Sequence, residues 1–155
     1  KHIVLIDCFV IAVNFVLRVI YGSYTIGVSP SKWIITVTFF MALFLAFIKR
    51  RSECLVLKEK AEQHRKVLKE YTLEFLNPVI IICASIVLFS YLMYCFDASV
   101  LFNQKSDISY YSVIFVALGV FRYLQINYNE NYNNEGDPTQ LVYKDRILQM
   151  VIIGL

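Results

Sequence analysis

Residues 75–96 read FLNPVIIICASIVLFSYLMYCF and contain no charged side chain. A run of about 20 apolar residues is long enough to cross the hydrocarbon core of a bilayer as one helix. Two shorter runs are also free of charged side chains, because no charge lies in residues 33–48 or in residues 108–121. The sequence therefore predicts a helical membrane protein that crosses the bilayer several times.

The composition of the whole chain agrees with this prediction. Of its 155 residues, 58% are hydrophobic and 17% are charged, whereas a soluble domain has about half apolar and about a quarter charged residues. Its mean hydropathy is +0.58. These values exclude a disordered chain, a collagen-like chain and a disulfide-rich secreted domain. The four cysteines have no CxxC spacing, and we interpret them as packing residues: Cys8, Cys54, Cys83 and Cys95.

We predict an all-α, polytopic transmembrane bundle with four spans and the start of a fifth. The third span is expected to begin with Asn77 as N-cap and Pro78 in the first helical position. Between the second and third spans, apolar residues recur every three or four positions on a charged segment, which predicts an amphipathic cytoplasmic helix over about residues 53–71. The predicted spans cover about residues 3–21, 31–49, 77–96, 108–124 and 141–155.

The distribution of positive charge predicts the orientation in the membrane. The N-terminus and the connections after the second and fourth spans should share one side of the bilayer. Twelve of the fifteen Lys and Arg residues lie on that side, eight of them within residues 49–69. Positive residues are retained on the cytoplasmic side, so this side is predicted to be cytoplasmic. The other side carries Arg18, Lys32 and Lys105.

The segment Lys49-Arg50-Arg51-Ser52-Glu53, where the second span ends, allows two interpretations. As a cluster of positive charge it is typical of a membrane anchor. Alternatively, its cations bind phosphate oxygens and Glu53 binds a divalent metal that bridges to the same phosphates. If the helix continues through the segment, Lys49 and Glu53 lie one turn apart on one face.

Other charged residues near the same side also have two interpretations. Arg122 is either a second cation of the site or an interfacial anchor, and Asp145 with Arg146 is either part of the site or a pair that caps a helix. His64 is interpreted as a packing residue, because no His or Cys stands at ligand spacing from it. No nucleotide-binding, hydrolase or zinc-protease motif occurs, and nothing indicates binding of nucleic acid.

Asp7 and Arg18 are ionisable residues within the first span. Such residues are costly in a membrane and usually face a cavity or a partner. They lie eleven residues apart, too far for a direct ion pair on one helix. Asp7 therefore supports an alternative function class, a small transporter with an intramembrane acid. A scaffold that binds partners through the amphipathic helix is a further alternative.

Several segments in this order resemble one family. The ordered set resembles the C-terminal half of enzymes in the decaprenyl-phosphate phosphoribosyltransferase branch of the UbiA-type prenyltransferase superfamily. The resemblance covers essentially residues 1–155. The segments are Lys1-His2, Phe15-Val16-Leu17-Arg18 with Gly22, Ser29-Pro30-Ser31-Lys32-Trp33, the Lys49–Glu53 segment, His64-Arg65-Lys66-Val67-Leu68 with Tyr71-Thr72, Phe121-Arg122-Tyr123, and Gly136-Asp137-Pro138 leading to Asp145-Arg146.

The resemblance implies a nine-helix fold, of which this chain holds helices five to eight and the start of nine. It implies transfer of a 5-phosphoribosyl group from phosphoribosyl diphosphate to a polyprenyl phosphate, with Mg²⁺ as cofactor. It also implies a role in cell-wall biosynthesis, in a bacterial plasma membrane with the active side facing the cytoplasm. A variant within the superfamily is prenyl transfer to an aromatic acceptor.

The resemblance also assigns candidate site residues. It implies that Glu53 is catalytic and binds the metal, with Asp145 as a second metal ligand. The expected phosphate-binding residues are Lys49, Arg50, Arg65, Arg122, Lys1 and Arg146. Two departures from the family are visible: the aspartate-rich motif belongs to a missing N-terminal half, and Lys58 stands where some relatives have a second Glu, with Glu59 beside it. We therefore expect the chain to be inactive alone.

Overall fold

The computed structural model describes residues 4–59, 72–101, 108–128 and 145–153. These residues form helices and contain no strand, so the all-α prediction is confirmed for the described part of the chain. The helices are α1 (Val4–Ile26), α2 (Lys32–Glu59), α3 (Leu73–Leu101), α4 (Ile108–Tyr128) and α5 (Arg146–Ile153).

Three of these helices are long and apolar enough to cross a membrane, which makes the chain an integral membrane protein. The candidate spans are Leu5–Ile26, Lys32–Leu55 and Leu73–Asp97. Helix α4 has 21 residues, and it is not among the candidate spans found in the described residues. The described part of α5 has 8 residues. The fourth span and the start of the fifth therefore stay predictions.

The connection between α1 and α2 follows from local sequence. Gly27 adopts a φ of 75°, a conformation that glycine reaches without a Cβ clash. Its amide donates to the carbonyl of Tyr24 at 3.1 Å, and the amide of Val28 donates to the carbonyl of Ser23 at 3.0 Å. This pattern is a Schellman motif, which ends α1. Ser31 then caps α2, because its Oγ accepts from the amide of Trp33 at 3.3 Å.

Helix α2 is continuous through the charged segment at its end. The sequence predicted a span over residues 31–49 and a cytoplasmic helix from residue 53, and it left open whether the helix continues between them. The helix extends unbroken to Glu59, because a change from apolar to charged residues marks the bilayer surface and not the end of a helix. Residues 60–71, which the prediction assigned to the amphipathic helix, lie outside the described residues.

Helix α3 begins at Leu73, four residues before the predicted start. The carbonyl of Thr72 accepts from the amides of Phe75 and Leu76 at 3.0 and 3.1 Å, which sets the first turn. Pro78 therefore lies inside the helix and not at its first position. Proline removes the hydrogen bond to the carbonyl four residues earlier, and that carbonyl belongs to Glu74 in the exposed first turn.

The helices pack in chain order, with α2 against both α1 and α3, α3 against α4, and α4 against α5. All four cysteines are buried, as predicted. The start of α1, the end of α2, the start of α3 and the end of α4 meet at one end of the bundle, which we call the charged end. The largest fully buried hydrophobic side chains are Phe44, Phe47, Ile48, Leu76, Ile80 and Cys8.

Candidate functional site

Arg50 joins α1 to α2 at the charged end. Its Nη2 lies 2.6 Å from Oδ2 of Asp7 on α1, and its Nη1 lies 2.5 Å from Oε2 of Glu53 one turn further along α2. The Arg50 side chain is 26% exposed, so solvent reaches this ion-paired group. The structure thus brings together two predicted site residues, Arg50 and Glu53. It adds Asp7, which the sequence had linked to transport.

Arg51, the next residue, contacts α3 and α4 instead of α1. It is 8% exposed. Its Nε donates to Oδ1 of Asn77 at 3.0 Å, and its Nη1 donates to the backbone carbonyl of Asn127 at 2.6 Å. Its guanidinium carbon lies 4.3 Å from the ring centroid of Tyr128, a cation–π distance. Arg51 therefore ties the end of α2 to the start of α3 and the end of α4.

Two further hydrogen bonds support this buried arginine. The side-chain amide of Asn127 donates to the carbonyl of Tyr123 at 2.8 Å, and the Tyr128 hydroxyl donates to the carbonyl of Asn77 at 3.4 Å. Desolvation raises the pKa of the Tyr128 phenol, while the positive charge of Arg51 acts in the opposite direction. Sequence reasoning missed Asn77, Asn127 and Tyr128. One signal was present: successive helical residues point about 100° apart, so Arg50 and Arg51 cannot face the same partner.

Arg122 and Asp145, both predicted site residues, form an ion pair between α4 and the start of α5. Oδ2 of Asp145 lies 2.8 Å from Nε and 2.7 Å from Nη2 of Arg122. The other carboxylate oxygen of Asp145 accepts from the amide of Leu148 at 3.4 Å, which makes Asp145 the N-cap of α5. Arg122 also donates to Oε1 of Gln125 at 2.9 Å. Asp145 therefore has a structural role whatever else it binds.

Lys49 lies at one end of an apolar groove of about 670 Å³. The groove is lined by Ile11 and Phe15 of α1, by α2 from Val37 to Lys49, and by Tyr123 of α4. Twelve residues of helix separate Val37 from Lys49, which corresponds to about 18 Å at 1.5 Å per residue. The groove thus leads from the apolar part of the bundle to its charged end. The side chain of Lys49 is exposed.

Of the three remaining predicted site residues, the structure describes one. Arg146 is exposed at the first position of α5, while Lys1 and Arg65 lie outside the described residues, as does His64. Within the described ranges, no three His, Cys, Asp or Glu side chains come together as a metal site. Glu53 and Asp7 share one guanidinium, that of Arg50.

The fold and the site define the class of protein: an all-helical integral membrane protein whose charged end combines guanidinium groups, carboxylates and the mouth of an apolar groove. Within this class, the chain is homologous to decaprenyl-phosphate phosphoribosyltransferase, a UbiA-type enzyme. No profile of a known protein family matches the chain.

Three relatives show the extent of the homology. The enzyme of Corynebacterium glutamicum is 28% identical over 154 residues, which cover 99% of this chain and 46% of the relative. The Mycolicibacterium smegmatis enzyme is 25% identical over 160 residues, and the Mycobacterium tuberculosis enzyme is 24% identical over 154 residues, each covering 49% of the relative. The resemblance noted from the sequence is thus confirmed. The chain spans about half the length of the curated relatives it matches.

Proposed function

We propose that this chain is the C-terminal half of a membrane enzyme that transfers a 5-phosphoribosyl group from phosphoribosyl diphosphate to a polyprenyl phosphate. The observation that carries the proposal is the homology to decaprenyl-phosphate phosphoribosyltransferase over 99% of the chain. The transfer forms a bond between a phosphate oxygen of the lipid and the ribose carbon that loses diphosphate. Two anionic groups must therefore meet beside an apolar chain.

The cations of the charged end suit the two phosphate-bearing substrates. A guanidinium fork matches the oxygens of a phosphate in two parallel hydrogen bonds. Arg50, Arg122 and Arg146 are the described candidates for the diphosphate, with Lys1 and Arg65 as candidates outside the described residues. Cationic groups placed at a leaving diphosphate stabilise the charge that develops as it departs.

Mg²⁺ fits the donors that this half supplies. This cation is commonly held by one or two carboxylates together with the phosphate oxygens of its ligand, without a complete protein cage. Glu53 is the carboxylate that we assign to it. Asp145 fits less well, because it already accepts from Arg122 and caps α5. When bound, Mg²⁺ supplies charge neutralisation for the diphosphate.

The apolar groove beside α2 suits the lipid substrate. Its walls from Val37 towards Lys49 are mainly hydrophobic, which favours burial of a polyprenyl chain over contact with water. Lys49 at the groove end is the candidate that holds the lipid phosphate. This arrangement puts the acceptor phosphate next to the residues assigned to the diphosphate, on the side predicted to be cytoplasmic.

The replacement Glu53→Gln tests the proposal in the protein at its native length. Radiolabelled phosphoribosyl diphosphate and decaprenyl phosphate are supplied in detergent with Mg²⁺, and product is extracted into organic solvent. Loss of one preorganised charged group at a developing charge typically reduces turnover by about 10²–10³-fold, and we expect this range. Glu74→Gln is the matched control, since Glu74 is exposed in the first turn of α3.

Two results would contradict the proposal. If Glu53→Gln keeps the activity of the Glu74→Gln control, the metal assignment is wrong. If the native protein instead transfers a prenyl group from a prenyl diphosphate to an aromatic acceptor, the reaction belongs to the other branch of the superfamily.

A further inference from the structure

Two carboxylates from different helices converge on one guanidinium at the charged end. Asp7 lies in α1 and Glu53 lies in α2, and each places an oxygen within 2.6 Å of a different Nη of Arg50. Asp7 and Arg50 are 43 residues apart in the chain, so the convergence is a feature of the fold. Their side chains are 57% and 38% exposed for Asp7 and Glu53, respectively, so the described residues bury neither carboxylate.

Two carboxylates that meet at one site are favoured when a cation lies between them. Arg50 supplies that cation, and its planar fork suits it to hold one oxygen on each Nη. A divalent cation satisfies the same two carboxylates with twice the charge. The released guanidinium would then be available for phosphate oxygens, its other preferred partner.

We propose that Arg50 is an internal counter-ion that holds Asp7 and Glu53 together until a divalent cation carrying a diphosphate group exchanges with it. On binding, the two carboxylates pass to the cation and the guanidinium passes to the diphosphate. Asp7 thereby becomes the second carboxylate of this half. The inference rests on the proposed function for the nature of the diphosphate ligand.

The exchange makes the two parts of the ligand assist each other. The metal alone must displace Arg50 from both carboxylates, and the diphosphate alone must remove Arg50 from them without a replacement cation. Each part lowers the free energy needed to bind the other, and such coupling is reciprocal. Removal of the Arg50 charge should consequently strengthen binding of the metal by itself.

Binding of Mn²⁺ alone tests this, without diphosphate and without any measurement of turnover. The protein at its native length is titrated and free Mn²⁺ is followed by electron paramagnetic resonance. We expect Arg50→Gln to bind Mn²⁺ about tenfold more tightly than the wild type, because a competing positive charge a few ångströms away is gone. Asp7→Asn should bind about tenfold more weakly, and Asp97→Asn, at an exposed acid on α3, should match the wild type.

A second variant and a second readout keep the result specific to this site. Arg50→Lys keeps the charge but lacks the fork, so its Mn²⁺ affinity should lie between those of the wild type and Arg50→Gln. Fe²⁺ bound in place of Mn²⁺ cleaves nearby backbone when ascorbate and peroxide are added. Fragments ending near residues 7 and 53 should increase in Arg50→Gln and disappear in Asp7→Asn.

The inference is overturned if Arg50→Gln leaves Mn²⁺ affinity unchanged or weakens it, or if Asp7→Asn behaves like Asp97→Asn. Absence of Fe²⁺-dependent cleavage near both residues in every variant also overturns it. These outcomes are independent of the transfer assay. If the Mn²⁺ results are as expected but the protein does not transfer phosphoribosyl groups, the exchange at Arg50 is supported and the proposed reaction is wrong.

Discussion

Replacing Arg51 by methionine tests the contacts that join α2, α3 and α4. The wild-type guanidinium makes hydrogen bonds of 3.0 Å to Asn77 and 2.6 Å to the carbonyl of Asn127, and it lies over the ring of Tyr128. Hydrogen bonds that involve a charged group contribute about 1.5–3 kcal/mol each. Methionine fills similar volume and relieves the cost of burying a cation, which offsets part of that loss. We expect a net destabilisation of about 2–4 kcal/mol.

The buried cysteines provide the assay. A thiol-reactive fluorescent dye added to detergent-purified protein reports unfolding as heating exposes the thiols of Cys8, Cys54, Cys83 and Cys95. About 2–4 °C of Tm accompanies each kcal/mol in a chain of this size, so Arg51→Met should lower Tm by about 5–15 °C. Arg51→Lys keeps the charge with fewer donors and should give an intermediate value.

Arg50→Met is the matched control for this measurement. It makes the same change one residue earlier, but Arg50 is partly exposed and its ion pairs are open to solvent. Exposed pairs contribute about 0–1 kcal/mol, so its Tm should stay within a few degrees of the wild type. If Arg51→Met is as stable as Arg50→Met, or more stable than the wild type, the buried network does not hold the three helices together.

Further replacements test three separate features of the chain. Lys49→Gln should raise the KM for the lipid phosphate about tenfold through loss of a charge-assisted contact. Lys32→Gln, at the opposite end of α2, should leave this KM unchanged. If the two variants have the same KM, Lys49 does not belong to the lipid site. Asp145→Ala should reduce the free energy of unfolding by about 1–2 kcal/mol, and Asp145→Asn should reduce it by less, because asparagine still caps a helix. If both variants lose the same free energy, the cap contributes nothing. Gly27→Ala should lower Tm, because φ is positive there. Gly22→Ala inside α1 should stabilise the protein by about 1 kcal/mol through helix propensity and so raise Tm. If Gly27→Ala does not lower Tm, the turn does not need glycine.

The apolar runs were sufficient to predict the helices, because a segment that must satisfy its backbone polar groups in a bilayer has little choice other than a helix. The helix ends were predicted less well. The start of α3 was placed at Asn77 by its resemblance to an N-cap, yet Asn77 accepts from Arg51 instead. The side-chain chemistry that makes asparagine a cap also makes it a tertiary acceptor, and the local sequence does not distinguish the two.

The candidate site was predicted as a set of residue types and not as a set of contacts. The sequence put Lys49 one turn from Glu53 on one face, whereas the structure pairs Glu53 with Arg50. The contact between Arg50 and Asp7 joins residues that are 43 positions apart, and no local pattern in the sequence predicts it. Arg122 and Asp145 were both assigned to ligands, while the structure pairs them with each other. A cation and an acid that suit a charged ligand also suit each other.

The contacts of Arg51 impose an order on biogenesis. Its acceptors lie 26 and 76 residues further along the chain. When α2 first leaves the ribosome, the guanidinium therefore has neither acceptor until those residues have been made. Until then it must stay near the hydrated surface of the membrane, where long cationic side chains extend towards water. The network closes when α4 is in place, which makes the junction of α2, α3 and α4 one of the last to form. A chain that ends before residue 127 would carry a buried-site arginine without its backbone acceptor.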